Sequence, residues 1–417
     1  MTKRLYYDSS EIHEFDSVVE EVTPVSSTQS RPAVILRETA FYPTSGGQGH
    51  DTGWLTLGGG DRAKDRLRVA EVADAEDGRI VHYLEAPARL PLAGAAVHGS
   101  IDRERRRDHM QQHTGQHVLS AAFIELYQMP TVSFHMGGDY CSIDLTAPSV
   151  SSEQIAGAEK RANQIVLENR PVRIRYVSRA EAERLGLRKL PPEERDELRL
   201  IEVADFDLSA CGGTHVSSSG QIGLILLRKS ERVRQGTRVE FVCGGRAVRM
   251  ARRDYNALSE AAALFSSQLW DVPDQIRKNV EDSKLVRKQK EDALDQLAEL
   301  MALAALHDQA ETNGRKIVVR TFSDRDIGFA KLFAQKVTRA GTPAIALVAS
   351  SVDPPGLVFA QTSGGATADM GALLKQVLSS VGGRGGGIRD FAQGGVPAGS
   401  KINVEQLLQQ AAGTIGT

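Results

Sequence analysis

His113-Thr114-Gly115-Gln116-His117 and, much further along, Cys211-Gly212-Gly213-Thr214-His215 decide how this chain is read. The first places two imidazoles at i and i+4 of a helix predicted over His109 to Tyr127 and ended by Pro130, so both rings leave one face within reach of one ion. The second offers a thiolate and an imidazole around two glycines, whose backbone freedom lets the chain wrap tightly. Either pair alone is more often a set of incidental surface or core residues than a pair of ligands. Together, in a chain with 3 cysteines, they form a Cys/His₃ set that suits one tetrahedral zinc ion per chain. A His-Glu-x-x-His protease does not fit, because Thr114 stands where the glutamate base would be. Cys141 and Cys243 fall at strand positions and read as small buried hydrophobes. His109 and His135 read as structural.

The chain of 417 residues is long enough for about two to four domains. Its 41% hydrophobic content supports an ordinary core. The formal net charge of −2 is not that of a strongly basic nucleic-acid binder, so any RNA contact rests on local basic patches. Few, odd-numbered cysteines argue against a disulfide framework and for a reducing compartment. The start lacks the apolar run of a signal peptide, and no stretch approaches a membrane span, so a cytoplasmic protein without a membrane partner is expected.

The predicted fold is α+β in four parts. Residues 1–100 hold short strand-like runs, Ala33–Leu36, Trp54–Leu57, Leu67–Ala70 and Ile80–Tyr83, separated by turns such as Gly46-Gly47 and Gly58-Gly59-Gly60-Asp61, and suggest a small β-barrel. Residues 101–250 mix helix and strand and carry the metal pairs. They include a second helix from Ser151 to Asn169 and strands at Val172–Tyr176, Ile222–Leu227 and Val239–Val242. Residues 251–313 read as a helical arm broken by Pro273. Ile276, Val280, Leu294, Leu297, Met301 and Ala304 fall on a heptad seam interrupted by Ser283, Arg287 and Lys290. Asn313-Gly314 closes the arm. Residues 314–417 alternate strand (Ile317–Phe322, Ala344–Ala349, Leu357–Gln361) and helix (Ile327–Ala340, Met370–Val381) as a small Gly-rich α/β domain.

These residues resemble a known family. The two metal pairs, and the longer string Ser209-Ala210-Cys211-Gly212-Gly213-Thr214-His215-Val216, are similar to the editing domain of alanyl-tRNA synthetases. So is Thr39-Ala40-Phe41-Tyr42-Pro43-Thr44-Ser45-Gly46-Gly47-Gln48 with Asp51-Thr52-Gly53 after it. The tail Gly382-Gly383-Arg384-Gly385-Gly386-Gly387, followed by Asp390-Phe391-Ala392-Gln393-Gly394-Gly395, resembles the C-terminal DHHA1 domain of the same enzymes. Few residues precede the metal motifs, so the chain resembles the long-form, freestanding alanyl-tRNA editing proteins that act in trans.

The resemblance implies zinc ligands His113, His117, Cys211 and His215. It implies an amino-acid pocket lined by Thr39 and Gln48, the candidate catalytic residues. Gly46, Gly47, Gly212 and Gly213 join them in holding substrate. The implied activity is hydrolysis of the ester of tRNA(Ala) mischarged with serine, with glycine left open as a second substrate. RNA phosphates would meet Arg105, Arg106 and Arg107 before the metal helix and Arg384 in the tail. Arg228, Lys229, Arg232, Arg234 and Arg238 form a second basic run. The arm and the C-terminal domain are suited to a homodimer. A competing reading is a non-enzymatic tRNA-binding scaffold with a structural zinc, and another is a zinc hydrolase of a different ester or amide. Whether zinc activates water or only positions the 3′ end stays open at this level.

Overall fold

Period-2 burial first appears in β2 (Glu14–Thr23), where Phe15, Ser17 and Val19 point inward between exposed acids. The computed structural model describes residues 1–25, 31–58, 65–85, 90–185, 187, 197–364, 368–400 and 402–415. It divides into two units, Met1–Glu260 and Ala261–Thr417.

In the first unit, β1 (Lys3–Arg4) precedes β2 and lies parallel to β4 (Glu38–Thr39), which follows β3 (Ala33–Leu36). Then come β5 (Gly53–Leu57), β6 (Arg66–Asp74), β7 (Ile80–Leu84) and β8 (Ala96–Ile101). Six of these strands close an antiparallel barrel in the order β2-β3-β7-β6-β5-β8. The predicted barrel is therefore present, with β2 and β8 added to the strands read from the sequence. Gly59, Gly60 and Asp61 of the predicted turn lie outside the described residues. Phe15, Leu36, Phe41, Leu55, Val69, Ile80, Leu84 and Ile101 fill the interior. His82 is buried among them. Its Nδ1–H donates to the carbonyl of Val34 (3.1 Å), which leaves Nε2 to accept from the hydroxyl of Thr39 (2.9 Å).

Directly after β8, Asp102 caps α1 (Arg103–Tyr127) by accepting from the backbone N–H of Arg105. The helix starts six residues before the predicted His109, and Gln128 ends it in the left-handed region rather than Pro130. There follow β9 (Thr131–Met136), β10 (Cys141–Leu145) and α2 (Ser152–Leu167), opened by a Ser151–Gln154 capping box. Next are β11 (Val172–Ser178), α3 (Arg179–Arg184), β12 (Glu197–Val203), β13 (Asp207–Ala210), β14 (Ile225–Val233), β15 (Gly236–Cys243) and α4 (Gly244–Leu264). Helices α1 and α2 share a core with the antiparallel sheet β14-β15-β10-β9, and β11-β12-β13 form a separate sheet. The strand expected from Ile222 begins only at Ile225. Ser219–Ile222 form a 3₁₀ turn, and Gly223 at φ 85° breaks the run.

Arg106 is wholly buried, which corrects its reading as an RNA contact. Its guanidinium pairs with Asp51 and donates to the carbonyls of Ser10 (2.8 Å) and Ala40 (2.5 Å). The same carboxylate accepts from the N–H of Tyr42 (2.6 Å), so α1, the barrel loop and the N-terminal segment are locked at one buried ion pair.

In the second unit, α5 (Val272–Asp308) carries Pro273 in its first turn, where a missing N–H costs nothing, so the break falls before the helix. Then follow β16 (Glu311–Thr312), β17 (Arg315–Phe322), α6 (Ile327–Arg339), β18 (Ala344–Ser350), β19 (Gly356–Gln361), α7 (Met370–Ser379), β20 (Arg384–Ile388), β21 (Phe391–Gly395) and α8 (Val404–Ile415). Asn313-Gly314, both with positive φ, form the two-residue turn between β16 and β17. The sheet order is β16-β17-β18-β19-β21-β20. Strand β18 is buried on both faces. Ala344, Ala346 and Val348 face α5 and α6, while Ile345, Leu347 and Ala349 face α7 and α8. The Gly-rich tail is the hairpin β20–β21, where a Cβ at Gly385 would stand 2.7 Å from the Cα of Gly394. Among the described residues, no helix is long and apolar enough to cross a membrane.

Burial drives His82 down to about 4, against the opposing hydrogen bond to Val34. A base whose folded pKa lies below its unfolded value of about 6.5 stabilises the fold above pH 6.5 and loses that contribution as pH falls toward 4. The loss should approach ~3 kcal/mol. Urea unfolding followed between pH 7 and 4 should show it, and His82→Leu should flatten the pH dependence. An unchanged pH profile in that variant would contradict the assignment.

Candidate metal centre

The site is assembled from three stretches of the first unit: the loop before β5, the middle of α1, and the turn after β13. Helix α1 is buried on nearly all sides from His109 to Phe123, although much of it is polar. Buried polar groups need partners, and these have them. Gln112 bonds the backbone N–H and carbonyl of Cys243 (2.8 and 3.0 Å), and Gln111 bonds the carbonyl of Gln221 (2.9 Å). Gly115 lets the helix pass Cys243, whose Sγ would sit 2.3 Å from a Cβ there. The helix is thus pinned in rotation, and its i, i+4 face carries His113 and His117 to a fixed place.

There they meet Cys211 and His215, and the ligand atoms of all four lie within 4.8 Å of one another. Sγ of Cys211 is 3.4 Å from Nε2 of His113 and 3.3 Å from Nε2 of His215. Each imidazole has its Nδ1 committed to a different partner. For His113 it is Oε1 of Gln48 (2.8 Å), for His117 the carboxylate of Asp207 (3.1 Å), and for His215 the hydroxyl of Thr114 (3.1 Å). Such bonds fix ring orientation and tautomer, leaving Nε2 as the donor to an ion. The four sequence-predicted ligands therefore come together, and their donor set fits a metal of the zinc type. Cys141 and Cys243 stand apart as fully buried residues of β10 and β15. Burial pushes the Cys141 thiol up to about 12 and that of Cys243 well above its usual value.

The electrostatics of the cluster are those of a thiolate among imidazoles. Burial acts to raise the Cys211 thiol, but His113 and His215 hold it well below the ordinary range. Burial acts to lower His117, yet Asp207 and Cys211 carry it up to about 9. His215 falls to about 3, through burial and then the charge of His113.

Gln48 is fully buried. Its Oε1 accepts from His113 and from the backbone N–H of Thr214 (3.1 Å), and its Nε2 donates to the Thr214 hydroxyl (2.8 Å). Gly46 and Gly47, with φ of 57° and 86°, make the two-residue turn between Ser45 and Gln48 that delivers this side chain. Gly47 lies so close to β9 that a Cβ would meet the carbonyl of Phe134 at 2.7 Å. A Cβ on Gly213 would stand 2.2 Å from the ring of His113, whereas at Gly212 the nearest atom is the Tyr7 hydroxyl at 3.4 Å. Thr39 is buried in the barrel, where its hydroxyl serves His82 and accepts from the N–H of Phe41 (3.1 Å). Of the basic residues, Arg107 and Arg384 are exposed, and Arg105 donates through Nε to the carbonyl of His50 (2.9 Å). In the second basic run, Arg228, Lys229 and Arg238 pair with Asp254, Glu231 and Asp144.

Three contributors were not read from the sequence. Asp207 orients His117, Thr114 orients His215, and Arg199 holds the Cys211–Gly213 turn by donating to the carbonyls of Cys211 (2.6 Å) and Gly213 (3.1 Å). A single sequence carries no signal for Asp207 or Arg199, since an acid or an arginine in a strand reads as an outward residue.

Two family models match. One is the threonyl and alanyl tRNA synthetase second additional domain, over residues 198–239, and the other is class II (A) tRNA synthetases, over residues 1–105. The alanyl-tRNA editing protein AlaX-L of Pyrococcus horikoshii is 28% identical over 400 residues, covering 95% of both chains. This chain is thus similar, along nearly its whole length, to an alanyl-tRNA editing protein. It is also 30% identical to the alanine–tRNA ligase of Archaeoglobus fulgidus and 32% identical to that of Halobacterium salinarum. Those matches cover 95% and 100% of this chain but only 42% and 44% of the ligases, so it spans less than half their length.

Removing an orienting partner should weaken metal binding without unfolding the protein. Asp207→Asn is expected to lower zinc affinity by ~10–100-fold in competition with a chromophoric chelator. Gly213→Ala, which drives a methyl into the His113 ring, should abolish tight binding. Wild-type affinity in both variants would contradict the geometry.

Proposed function

We propose that the protein is a zinc-dependent hydrolase that removes serine from mischarged tRNA(Ala). The observation that carries this reading is the convergence of three Nδ1-tethered imidazoles and one thiolate, in a chain similar along its whole length to an alanyl-tRNA editing protein. The substrate bond is an ester between an amino acid and the terminal ribose. Zinc supplies Lewis acidity toward such an ester carbonyl or lowers the pKa of a water. The chain's own groups position. Gln48, Asp207 and Thr114 orient the imidazoles, Arg199 holds the Cys211 turn, Gly46 and Gly212 leave the backbone open to substrate, and Gly47 and Gly213 make room for β9 and the His113 ring. Arg105, Arg107 and Arg384 meet RNA phosphates. Glycine, smaller than serine, is a further acyl group to test.

Selectivity has a physical basis. A pocket built for alanine rejects an added hydroxyl by only ~10²-fold, so a second site that recognises that hydroxyl is useful. Thr39 is the proposed reader. Its hydroxyl donates to His82 and accepts once from Phe41, and one lone pair remains to accept from a serine hydroxyl. Without a hydroxyl on the substrate that lone pair stays unmatched, at ~1–3 kcal/mol. A homodimer is the proposed assembly, supported by the exposed apolar pair Leu300 and Leu303 on α5.

A second reading draws support from the same site. Four protein donors describe a closed, structural zinc, which a tRNA-binding scaffold would use equally well. Hydrolysis of seryl-tRNA(Ala) against alanyl-tRNA(Ala) separates the two. Fast loss of serine, slow loss of alanine and no activity in Cys211→Ala and His215→Ala are expected. No deacylation by folded, zinc-loaded protein that still binds tRNA would favour the scaffold, and loss of tRNA binding as well would favour a hydrolase of another ester or amide. Thr39→Val should retain serine hydrolysis but narrow the serine-over-alanine ratio roughly tenfold. An unchanged ratio would remove Thr39 from the pocket.

A further inference from the structure

From His109 to Phe123 every residue of α1 is buried except Gln116. That one opening lies beside the His/Cys cluster. A cavity of about 220 Å³ is lined there by Gln116, His117, Ile124, Thr131, Val132 and Phe134, among others. His117 is one of the four clustered donors. The Phe134 ring lies nearly parallel to the His113 imidazole, with centroids 5.4 Å apart and planes at 24°. Gln48 meets the cluster elsewhere, at Nδ1 of His113. The barrel loop and this cavity therefore adjoin the cluster at different donors.

The wall of the cavity divides by chemistry. Ile124 and Val132 are aliphatic, and Val132 is 53% exposed on β9. Gln116 supplies a polar edge. Its Nε2 donates to Ser120 Oγ (2.9 Å), which in turn bonds Thr131 Oγ1 (2.7 Å). Among the described residues, Oε1 and the second N–H of that amide have no partner. A glutamine on a helix surface ordinarily moves freely in water. This one is held at Ser120, so rotamer freedom is already spent and one donor and one acceptor stand side by side, ready for a ligand.

That pair of groups selects a ligand class. A carboxamide matches an adenine edge with two hydrogen bonds, to N6–H and N7. Guanine presents two acceptors at the same place, O6 and N7, and leaves Oε1 without a donor. Aliphatic side chains on the remaining wall suit the faces of a flat ring. The volume lies below the ~300–1,000 Å³ of sites for drug-sized ligands, so it admits one ring system. Neither arginine nor lysine lines the cavity, so it fits a base and not a phosphate.

We propose that this cavity is a purine subsite that takes the adenine base of the ester-bearing terminal nucleoside, with Gln116 as the residue that selects the base. It rests on the functional reading above for the nucleoside and its ester. The base lies on the His117 side of the cluster and the acyl group on the side of His113 and Gln48, so the ester is held across the four donors from both ends.

The test is calorimetric titration of the full-length, zinc-loaded protein with 3′-serylamino-3′-deoxyadenosine, a stable amide in place of the ester, and with its inosine and 7-deazaadenosine counterparts. The adenosine compound should bind ~10-fold or more tightly than either, because each counterpart leaves one Gln116 bond unmade. In Gln116→Leu the adenosine compound should weaken to the level of the other two. A merely structural role for Gln116 would weaken all three alike and overturns the proposal, as does a wild type that does not discriminate the bases. Val132→Trp places a good strand former at an exposed position. It should fill the cavity and abolish binding of the adenosine compound while zinc affinity keeps its wild-type value, and unchanged binding in that variant also overturns the proposal. Base preference through Gln116 in protein that hydrolyses no seryl ester removes the functional reading and leaves this subsite standing. Serine hydrolysis without base preference does the reverse.

Discussion

The carboxamide of Gln48 joins the three parts of the site. One oxygen accepts from the His113 ring and from the backbone of Thr214, and the nitrogen returns to the Thr214 hydroxyl. Loop, helix and turn come from positions far apart in sequence, so nothing local keeps them in register. A buried amide can hold all three because every polar atom it offers is used, and a buried group left unmatched would be costly. The turn Gly46-Gly47 exists in that form to bring Gln48 inward, and Gly213 stays bare because the His113 ring fills the space a Cβ would need.

A second tier of contacts makes this joint rigid. The buried Arg106–Asp51 pair ties α1 to the same loop, a few residues on from Gln48. Ser10 contributes from the N-terminal segment, accepting from the N–H of His215 and offering its carbonyl to Arg106. Arg199 reaches from β12 to the Cys211 turn and to the carbonyl of Tyr7. The barrel is therefore more than a neighbour of the metal helix: the loop before β5 and the segment leading into β2 supply several of the outer contacts of the His/Cys cluster. Rigidity of this kind suits a site that must hold ligands at fixed distances, in either a catalytic or a structural role.

The sequence made the elements with strong periodicity legible. Ile80–Leu84, Trp54–Leu57 and the strands and helices from Ile317 to Met370 stand within a few residues of their predicted bounds. The meeting of His113, His117, Cys211 and His215 was legible too, because paired spacings in a cysteine-poor chain are rare. Strand β2 was not, since Glu14, Asp16, Glu20 and Glu21 give it the look of a solvated loop, with only Phe15, Ser17 and Val19 facing in. The start of α1 hid behind a run of arginines. Arg106 read as a surface charge because its partner, Asp51, is adjacent only in the fold. The roles of Asp207 and Arg199 depend on the same kind of long-range meeting.

The central claim is that His113, His117, Cys211 and His215 together bind one zinc ion. Zinc-edge X-ray absorption on protein loaded with one equivalent tests it most directly. The account predicts a shell of three nitrogens at ~2.0–2.1 Å and one sulfur at ~2.3 Å, with the sulfur lost in Cys211→Ser. A shell without sulfur in the wild type, or one with two sulfurs, would contradict it.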